Sequence, residues 1–501
     1  MKVLIGFDLM LSYLLKQDDV EGIESVFWWI NRLGMKKYTD VGSLMLLTHF
    51  IPRAQLSHLR GFECLTQQPS LYNYQKAILP LLECKLKKDE KSWAKVLFMQ
   101  LNQIIAGHVD YLITDNTASH HLAEMSGIEE QVYNVEDFLE RCCFEHRDLD
   151  SNKGIAIKQA TFGELDFTDS FFDTFKEDYN PYYEIWLKKK AKDNVYVAFE
   201  KRRIKALLKL KTEGTKEDYS DIVPTFPPGN RLKISSFKVN YTGEKLGQRF
   251  LHIIFMQAIE KRVDEIYVTI VNRSAMRRRL INLLEYWGFR FYGMKGKREE
   301  VYVRSMRKEI GVSPFFHYPY QSLRNTTFII PLGYNYSQEL LPNFSRLNNR
   351  SDIEPYKAAI HKTIVFQNIS FNIEQGCNLL FYQINHFSLG KIIASGIVSG
   401  VKRNFSNKAS FIRCCRKRSI LTSDMLADLW ERIQDLTVVD FLYNYSFGEK
   451  EITDETMQPL NIDISALKQN QIVKISDVQF AHMIKGSFYE ENIVIDKTSL
   501  R

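Results

Sequence analysis

The chain has 501 residues, of which 45% are hydrophobic and 25% are charged, a globular composition with room for roughly two to four domains. Its 67 basic and 60 acidic side chains leave a net charge of +7, which is too small to indicate a partner by itself. No run of about 18 apolar residues occurs, so we expect no membrane span. The seven cysteines lack CxxC spacing, which argues against a zinc knuckle or a disulfide framework and favours a reducing, cytoplasmic environment.

Two polar, turn-rich segments, at residues 147–154 and 309–320, divide the sequence. They predict three domains, which span residues 1–146, 155–308 and 320–501. The patterns within these domains differ, and together they predict an α/β and α+β multidomain protein. We expect a parallel α/β sheet first, then a mixed α/β fold, and finally a small β-barrel.

The first domain alternates short apolar runs with helix-like segments. The runs lie at Val3–Ile5, Val109–Thr114 and Gln131–Val135. Strands separated by helices predict a parallel sheet, in which ligands bind beyond the carboxyl ends of the strands. Asp8 and Asp115 follow two of these runs, although either could equally be an ordinary turn or cap residue.

The phrase VDYLITDN at 109–116 and the order of elements resemble the PIN-domain nucleases, whose carboxylates hold divalent metals. The resemblance implies a Mg²⁺ or Mn²⁺ site in which Asp8, Asp40 and Asp115 are the ligands. Gly6 stands where the family has its first Asp, and 100–104 contains no acid where the family has another. We therefore predict a degenerate PIN-like module, with a metal-dependent ribonuclease as the alternative.

The second domain places a glycine-containing turn between a strand and a helix. Strand patterns at Asn194–Glu200, Ile204–Lys211 and Leu232–Val239 precede the turn YTGEKLG at 241–247, and an amphipathic helix follows it. The first N–H groups of a helix lack intrahelical partners, and the helix dipole attracts negative charge. The turn therefore predicts an anion-binding site.

This order resembles the GNAT-family acetyltransferases, whose loop cradles the pyrophosphate of acetyl-CoA. Thr242 stands in the place of the family's Arg or Gln, Lys245 in that of its first Gly, and Gly247 in that of its last small residue. The resemblance implies acetyl-CoA as cofactor and a set of binding residues in which the preceding strand offers its backbone to the pantetheine arm. The set is Phe237, Val239, Thr242, Gly243, Glu244, Lys245, Leu246, Gly247 and Gln248.

GNAT enzymes often use a tyrosine to protonate the leaving thiolate, and the usual position for it aligns with Leu284 in LINLLEYWGF at 280–289. Two nearby tyrosines, Tyr286 and Tyr302, are the candidates for this role; both could also be core or rim aromatics. Glu300 could act as general base or orient the substrate, or it could be an exposed charge at a strand edge.

The third domain contains GCNLLFYQI at 376–384 followed by KIIASGIVSGV, which resembles the PUA-like folds of ASCH and EVE domains. The resemblance implies a small barrel that binds RNA. Phosphate neutralisation and aromatic stacking would suit that ligand, because 391–420 contains eight basic residues, no acid, and the interleaved Phe405 and Phe411. The candidate RNA-binding residues are Lys402, Arg403, Lys408, Arg413, Arg416, Lys417 and Arg418; a solvated basic face is the alternative.

Taken together, the three resemblances predict an acetyl-CoA-dependent N-acetyltransferase that acts on an RNA-linked or protein amine, such as aminoacyl-tRNA. They also imply a bacterial toxin–antitoxin or defence context, with an antitoxin or other partner protein. The substitutions at Gly6, Thr242 and Lys245 leave a third possibility, a non-catalytic RNA- or protein-binding scaffold built from two decayed enzyme folds.

Overall fold

The computed structural model divides into two compact units. Unit 1 is Met1–Ser151 with Asn240–Gly243 and Arg273–Asn282, and unit 2 is the remainder of the chain. Within the part of the chain that the structure describes, no helix combines the length and apolar character that a membrane span requires. The structure describes residues 1–15, 20–59, 61–66, 93–146, 155–179, 185, 189–200, 203–240, 245–271, 275–307, 313–341, 359–367, 369, 371–385, 389–447 and 452–495.

Unit 1 contains a five-stranded sheet flanked by helices. Its elements are β1 (Lys2–Ile5), α1 (Phe7–Leu14), α2 (Val20–Arg32), β2 (Lys36–Asp40), α3 (Val41–Leu47), β3 (Glu63–Leu65), α4 (Ala94–Ile105), β4 (Tyr111–Ile113), α5 (Thr117–Met125), β5 (Val132–Tyr133) and α6 (Val135–Glu145). The strand order is β3-β2-β1-β4-β5, and every neighbouring pair is parallel. The predicted parallel α/β sheet is therefore confirmed.

The central strand β1 is buried on both faces, as parallel sheets require. Val3 and Ile5 pack with α1, α2 and α6 on one face, whereas Leu4 packs with α4 and α5 on the other. This packing explains why the run at Val3–Ile5 is continuously apolar rather than alternating.

Unit 2 begins with an eight-stranded mixed sheet, and the predicted mixed α/β multidomain architecture is confirmed. The sheet order is β6-β7-β8-β10-β11-β13-β12-β9, with only the β10–β11 pair parallel. This part of the chain contains β6 (Ile157–Thr161), α7 (Asp173–Tyr179), β7 (Asn194–Glu200), β8 (Arg203–Glu213), β9 (Ile222–Val223), β10 (Arg231–Val239), α8 (Leu246–Glu260), β11 (Glu265–Val271), α9 (Ala275–Tyr286), β12 (Arg290–Lys295) and β13 (Glu299–Ser305). The residues of α9 up to Asn282 belong to unit 1.

The two faces of this sheet are covered differently. Helix α8 packs on one face, where the ring of Phe250 lies 5.7 Å from that of Phe237. Residues 214–230, which we call the strap, cross the other face. The Tyr219 and Phe226 rings of the strap lie 6.1 and 5.2 Å from the ring of Tyr267, so the strap is held by aromatic packing.

The C-terminal part of unit 2 contains a six-stranded sheet of order β16-β19-β18-β17-β15-β20 and a two-stranded one. The predicted small barrel is not confirmed, because the edge strands β16 and β20 of the described sheet do not pair with each other. The elements are α10 (Pro314–His317), β14 (Gln321–Ser322), β15 (Thr327–Leu332), α11 (Tyr334–Leu340), β16 (His361–Gln367), β17 (Asn378–Gln383), β18 (Lys391–Lys402), α12 (Lys408–Arg416), α13 (Ser423–Arg432), β19 (Leu436–Ser446), α14 (Asp454–Met457), α15 (Ile464–Lys468), β20 (Val473–Ile475), α16 (Asp477–Ile484), α17 (Phe488–Asn492) and β21 (Val494–Ile495).

Tyr318 links helix α8, which packs on the eight-stranded sheet, to the six-stranded sheet. Its hydroxyl donates to the carbonyl oxygen of Tyr443 on β19 (3.0 Å) and lies 3.3 Å from Nδ1 of His252 on α8. The buried guanidinium of Arg304 donates to the carbonyl oxygens of Trp287 and Tyr318, and burial lowers the pKa of Arg304 to about 9. These contacts satisfy polar groups that would otherwise be buried without partners.

Candidate active site

Strands β10 and β11 start side by side and then diverge. Their parallel pairing covers four residues and ends at Ile234↔Val268. Beyond that point β10 stays paired with β8 as far as Val239, and β11 stays paired with β13 as far as Val271. The described strands therefore form a wedge-shaped opening in the middle of the sheet, with its apex at Ile234 and Val268.

The opening exposes backbone groups that a continuous sheet would pair. The β8–β10 register shifts between Ile234 and Ser236, so a bulge turns β10 at the apex. Between Ser236 and Val239, β10 presents an edge toward the opening that has no strand against it among the described residues. Such an edge can hydrogen-bond an extended ligand that carries amides, as an added strand would.

The amino-terminal end of α8 follows directly after this open edge. Lys245 precedes the helix in the left-handed region (φ 50°) and is buried. A Cβ atom at Gly247 would lie 3.1 Å from Cδ2 of Leu283, so a larger residue there would press on α9. Three predicted cofactor residues, Thr242, Gly243 and Glu244, lie outside the described residues.

Among the other predicted cofactor residues, two are buried and two, Val239 and Gln248, are half-buried. Phe237 and Leu246 are buried in the core. Val239 pairs with Ala206 on β8, and its backbone lies at the end of the opening. The Gln248 side chain accepts a hydrogen bond from the backbone N–H of Ile360 (3.2 Å). These residues can therefore contribute their backbone to a ligand more readily than their side chains.

Two of the predicted catalytic residues meet on β13. The hydroxyl of Tyr302 donates to Oε2 of Glu300 at 2.8 Å. Tyr302 pairs with Val268 at the apex of the opening, and Glu300 pairs with Ile270. Burial, together with the adjacent Glu300 carboxylate, raises the pKa of Tyr302 well above its usual range, so its phenol stays protonated.

Tyr286 occupies a different environment. It is the last residue of α9, its side chain is 47% exposed, and its ring lies 4.5 Å from that of Phe315. Leu284, at the family's usual tyrosine position, is fully buried. Of the two tyrosines, Tyr302 is the one whose register lines up with the apex, one strand away from it on β13.

A polar cluster on the strap side of the sheet was missed by the sequence reasoning. Glu213 is 2% exposed and accepts hydrogen bonds from the hydroxyls of Tyr267 (2.6 Å) and Tyr219 (3.2 Å), while Nζ of Lys211 lies 2.8 Å from it. Although burial opposes ionisation, these donors hold the pKa of Glu213 below its usual value. The sequence contained a signal for this cluster: charged residues alternate at 209, 211 and 213, so their side chains lie on one face of β8.

The carboxylates predicted as metal ligands form hydrogen bonds and an ion pair within unit 1. Asp40 caps α3 through the backbone N–H of Ser43 (2.9 Å) and accepts from Nε2 of Gln100 (3.2 Å). Asp115 accepts from the backbone N–H of Val135 (3.0 Å), and its other oxygen lies 2.8 Å from Nε of Arg279.

Asp8 accepts hydrogen bonds from the Thr114 hydroxyl (2.7 Å) and from the backbone N–H of Asp115 (2.8 Å). Among the described residues no three His, Cys, Asp or Glu side chains converge to hold a metal. The alternative ribonuclease site at Asp8, Asp40 and Asp115 is therefore not confirmed, and each of these carboxylates accepts hydrogen bonds from protein donors.

The predicted RNA-binding residues lie on β18, α12 and the turns beside them. Phe411 is fully buried, so the prediction that it stacks on bases is wrong. Of the basic residues, Lys408 lies 2.9 Å from Glu431, Arg418 lies 3.6 Å from Asp440, and Arg403 donates to the carbonyl oxygen of Ile373. The remaining candidates, Lys402, Arg413, Arg416 and Lys417, are partly exposed.

No protein-family model and no curated protein matches the chain. Solved structures that are similar to it include a GNAT family acetyltransferase from Elizabethkingia anophelis with acetyl-CoA bound (15% identity, 31% of this chain and 99% of that one, TM-score 0.22). Others are the N-acetyltransferase PseH of Campylobacter jejuni (16%, 30% and 97%, 0.20) and the PaiA N-acetyltransferase of Thermoplasma acidophilum in complex with coenzyme A (14%, 30% and 99%, 0.23).

We expect the stability of the protein to depend on pH through Asp8. Burial, reinforced by the Asp115 carboxylate, raises the pKa of Asp8 from 3.8 to about 6. The folded chain thus holds this proton more tightly than the unfolded chain does. The resulting stabilisation is complete below about pH 4 and is lost as the pH rises through about 6, a change of at most ~3 kcal/mol.

Asp8→Asn should remove this contribution, so that the variant gains stability relative to the wild type as the pH rises. Urea unfolding of both proteins at several pH values between about 4 and 7 measures the difference, with the exposed Glu24→Gln as control. A difference that does not change with pH would contradict the shift.

Proposed function

We propose that the protein is an acetyl-CoA-dependent N-acetyltransferase. The observation that supports it most directly is the divergence of β10 and β11 beyond Ile234 and Val268. This divergence leaves an open backbone edge that leads from the amino-terminal end of α8 toward the middle of the sheet. Pantetheine is an extended chain with two amides and can pair with such an edge.

The described residues fit the other parts of the cofactor as well. The first N–H groups of the 15-residue helix α8 suit a pyrophosphate. The open stretch of β10 from Ser236 to Val239 is roughly 13 Å long, which allows an arm held at that helix to bring its thioester near the apex. Bound acetyl-CoA would supply the activated acetyl group.

The residues at the apex can move the proton that the reaction releases. Glu300 would accept a proton from the attacking amine, and Tyr302 would donate its own to the departing thiolate. The hydrogen bond between them allows Tyr302 to recover a proton from Glu300, so the two groups return to their starting state. The amine gains the acetyl group, and CoA leaves as the thiol.

The first prediction of this proposal is that acetyl-CoA binds. Calorimetric titration of the purified chain should give a dissociation constant in the micromolar range, about −8 kcal/mol. Gly247→Trp should abolish binding, because a bulky side chain there collides with Leu283 and displaces the helix end. No heat at several temperatures would favour the decayed scaffold instead, provided that the wild type is folded.

The second prediction concerns the proton donor. Tyr302→Phe should lower kcat about 100-fold and leave the KM for acetyl-CoA nearly unchanged, because the phenol acts on the leaving thiolate rather than on binding. Tyr292→Phe is the matched control: its hydroxyl donates to the carbonyl oxygen of Thr225, on the strap. Equal activity of the two variants would exclude Tyr302 as the acid.

For the acceptor, we propose an RNA-linked amine such as aminoacyl-tRNA. The support is the charge of the 391–420 segment, which has eight basic residues and no acid, with Arg413 and Lys417 partly exposed. The pairing of Lys408 and Arg418 with acids lowers the charge left for phosphates. We select Arg413 and Lys417 for the test because both belong to this basic set and neither is fully buried.

The third prediction is that RNA recruitment depends on this surface. Aminoacyl-tRNA should be acetylated faster than the free amino acid at low salt, and the advantage should fall steeply with added salt. Replacing Arg413 and Lys417 together by Gln should remove most of the advantage, whereas the exposed Lys485→Gln should not. Equal rates with and without the RNA would reject recruitment but not the acetyl transfer.

A further inference from the structure

Lys233 lies on β10 immediately before the apex of the opening. It pairs with Tyr267 on β11 and with Lys211 on β8, and the next pair, Ile234↔Val268, is the last before the strands separate. Directly paired residues share a face of a sheet. Lys233 therefore lies on the strap side, because Tyr267 carries the strap on that face.

Of the other lysines on this face, four are engaged, whereas the exposed Lys158 lies on the edge strand β6, three strands away from β10. The pairs are Lys209 with Asp193 (2.5 Å), Lys211 with Glu213 (2.8 Å), Lys238 with the carbonyl oxygen of Phe171 (2.6 Å) and Lys295 with Asp221 (3.2 Å). Lys233 makes no hydrogen bond or ion pair within the described ranges; its Nζ lies 5.4 Å from the centre of the Tyr267 ring. Lys233 is therefore the lysine beside the apex whose amine has no hydrogen-bond or ion-pair partner among the described residues.

The surroundings of Lys233 lower its pKa, which increases the fraction of the neutral, nucleophilic amine. Burial lowers its pKa, and the charges of Lys295 on β12 and Lys211 on β8 lower it further. Glu213 on β8 and Glu299 on β13 act in the opposite direction, and the net direction is downward.

If the proposed function is correct, the thioester of bound acetyl-CoA ends beside this amine. The arm runs along the open edge from Val239 toward Ile234, and Lys233 is the residue next to that end. A nucleophile held close to the carbonyl reacts without the entropic cost of bringing two molecules together.

We infer that Lys233 is a self-acetylation site. Its amine attacks the thioester carbonyl of bound acetyl-CoA, a C–N bond forms, and the C–S bond breaks. CoA leaves with the proton that the amine loses, and the lysine becomes the neutral Nε-acetyl amide. The modification removes a positive charge and adds bulk at the apex, so the modified enzyme should transfer acetyl groups to external amines more slowly.

The experiment uses the full-length protein and acetyl-CoA with a deuterated acetyl group, which distinguishes new label from acetylation acquired during expression. Peptide mass spectrometry follows each lysine over time. We expect Lys233 to be labelled at least 10-fold faster than the exposed Lys261 and Lys297, which report non-enzymatic reaction. An excess of desulfo-CoA should suppress labelling of Lys233 and leave the exposed lysines unaffected.

Two variants complete the test. Lys233→Arg should lose the fast label, whereas the matched Lys295→Arg should keep it. Labelling of Lys233 at the rate of exposed lysines, or labelling that desulfo-CoA does not suppress, would overturn the inference. If acetyl-CoA still binds by calorimetry in that case, the proposed function stands alone; if it does not bind, the proposed function fails as well.

Discussion

Backbone N–H and C=O groups need hydrogen-bond partners, and the separation of β10 from β11 beyond Ile234 leaves one edge of β10 without a neighbouring strand among the described residues. The opening is flanked by strands that keep their outer partners, since β10 still pairs with β8 and β11 with β13. Another strand could pair with one edge only by entering the middle of a sheet. An extended chain that carries amide groups could enter the opening and pair with this edge more easily than a folded segment could.

The helix that follows the opening is held by the C-terminal part of unit 2. Gln248 and His252 lie one turn apart on α8, and both meet that part, through Ile360 and Tyr318 respectively. A side chain that the resemblance assigned to the cofactor is thus committed to the protein. The position of the proposed pyrophosphate site therefore depends on residues more than 60 positions further along the chain.

In unit 1, the residues predicted from strand ends do not cluster as a metal site among the described residues. Asp8, Asp40 and Asp115 were predicted from strand ends, and the strands do end there. Their carboxylates, however, accept hydrogen bonds from backbone and side-chain donors, and Arg279 supplies a positive charge beside Asp115. The first strand and its flanking helices form a packed α/β sheet, and no cluster of metal-ligating side chains occurs among the described residues.

The sequence by itself determined the periodic elements, because alternation and helical spacing are local. The run at Val3–Ile5 forms most of β1 (Lys2–Ile5), and the strand pattern at Asn194–Glu200 became β7 with the same bounds. Only the tertiary structure decided that β15 pairs in parallel with β17 in an open sheet, that Phe411 is buried, and that Lys233 lies over the Tyr267 ring with no hydrogen-bond or ion-pair partner among the described residues. These properties depend on contacts between residues far apart in the chain, which no local pattern encodes.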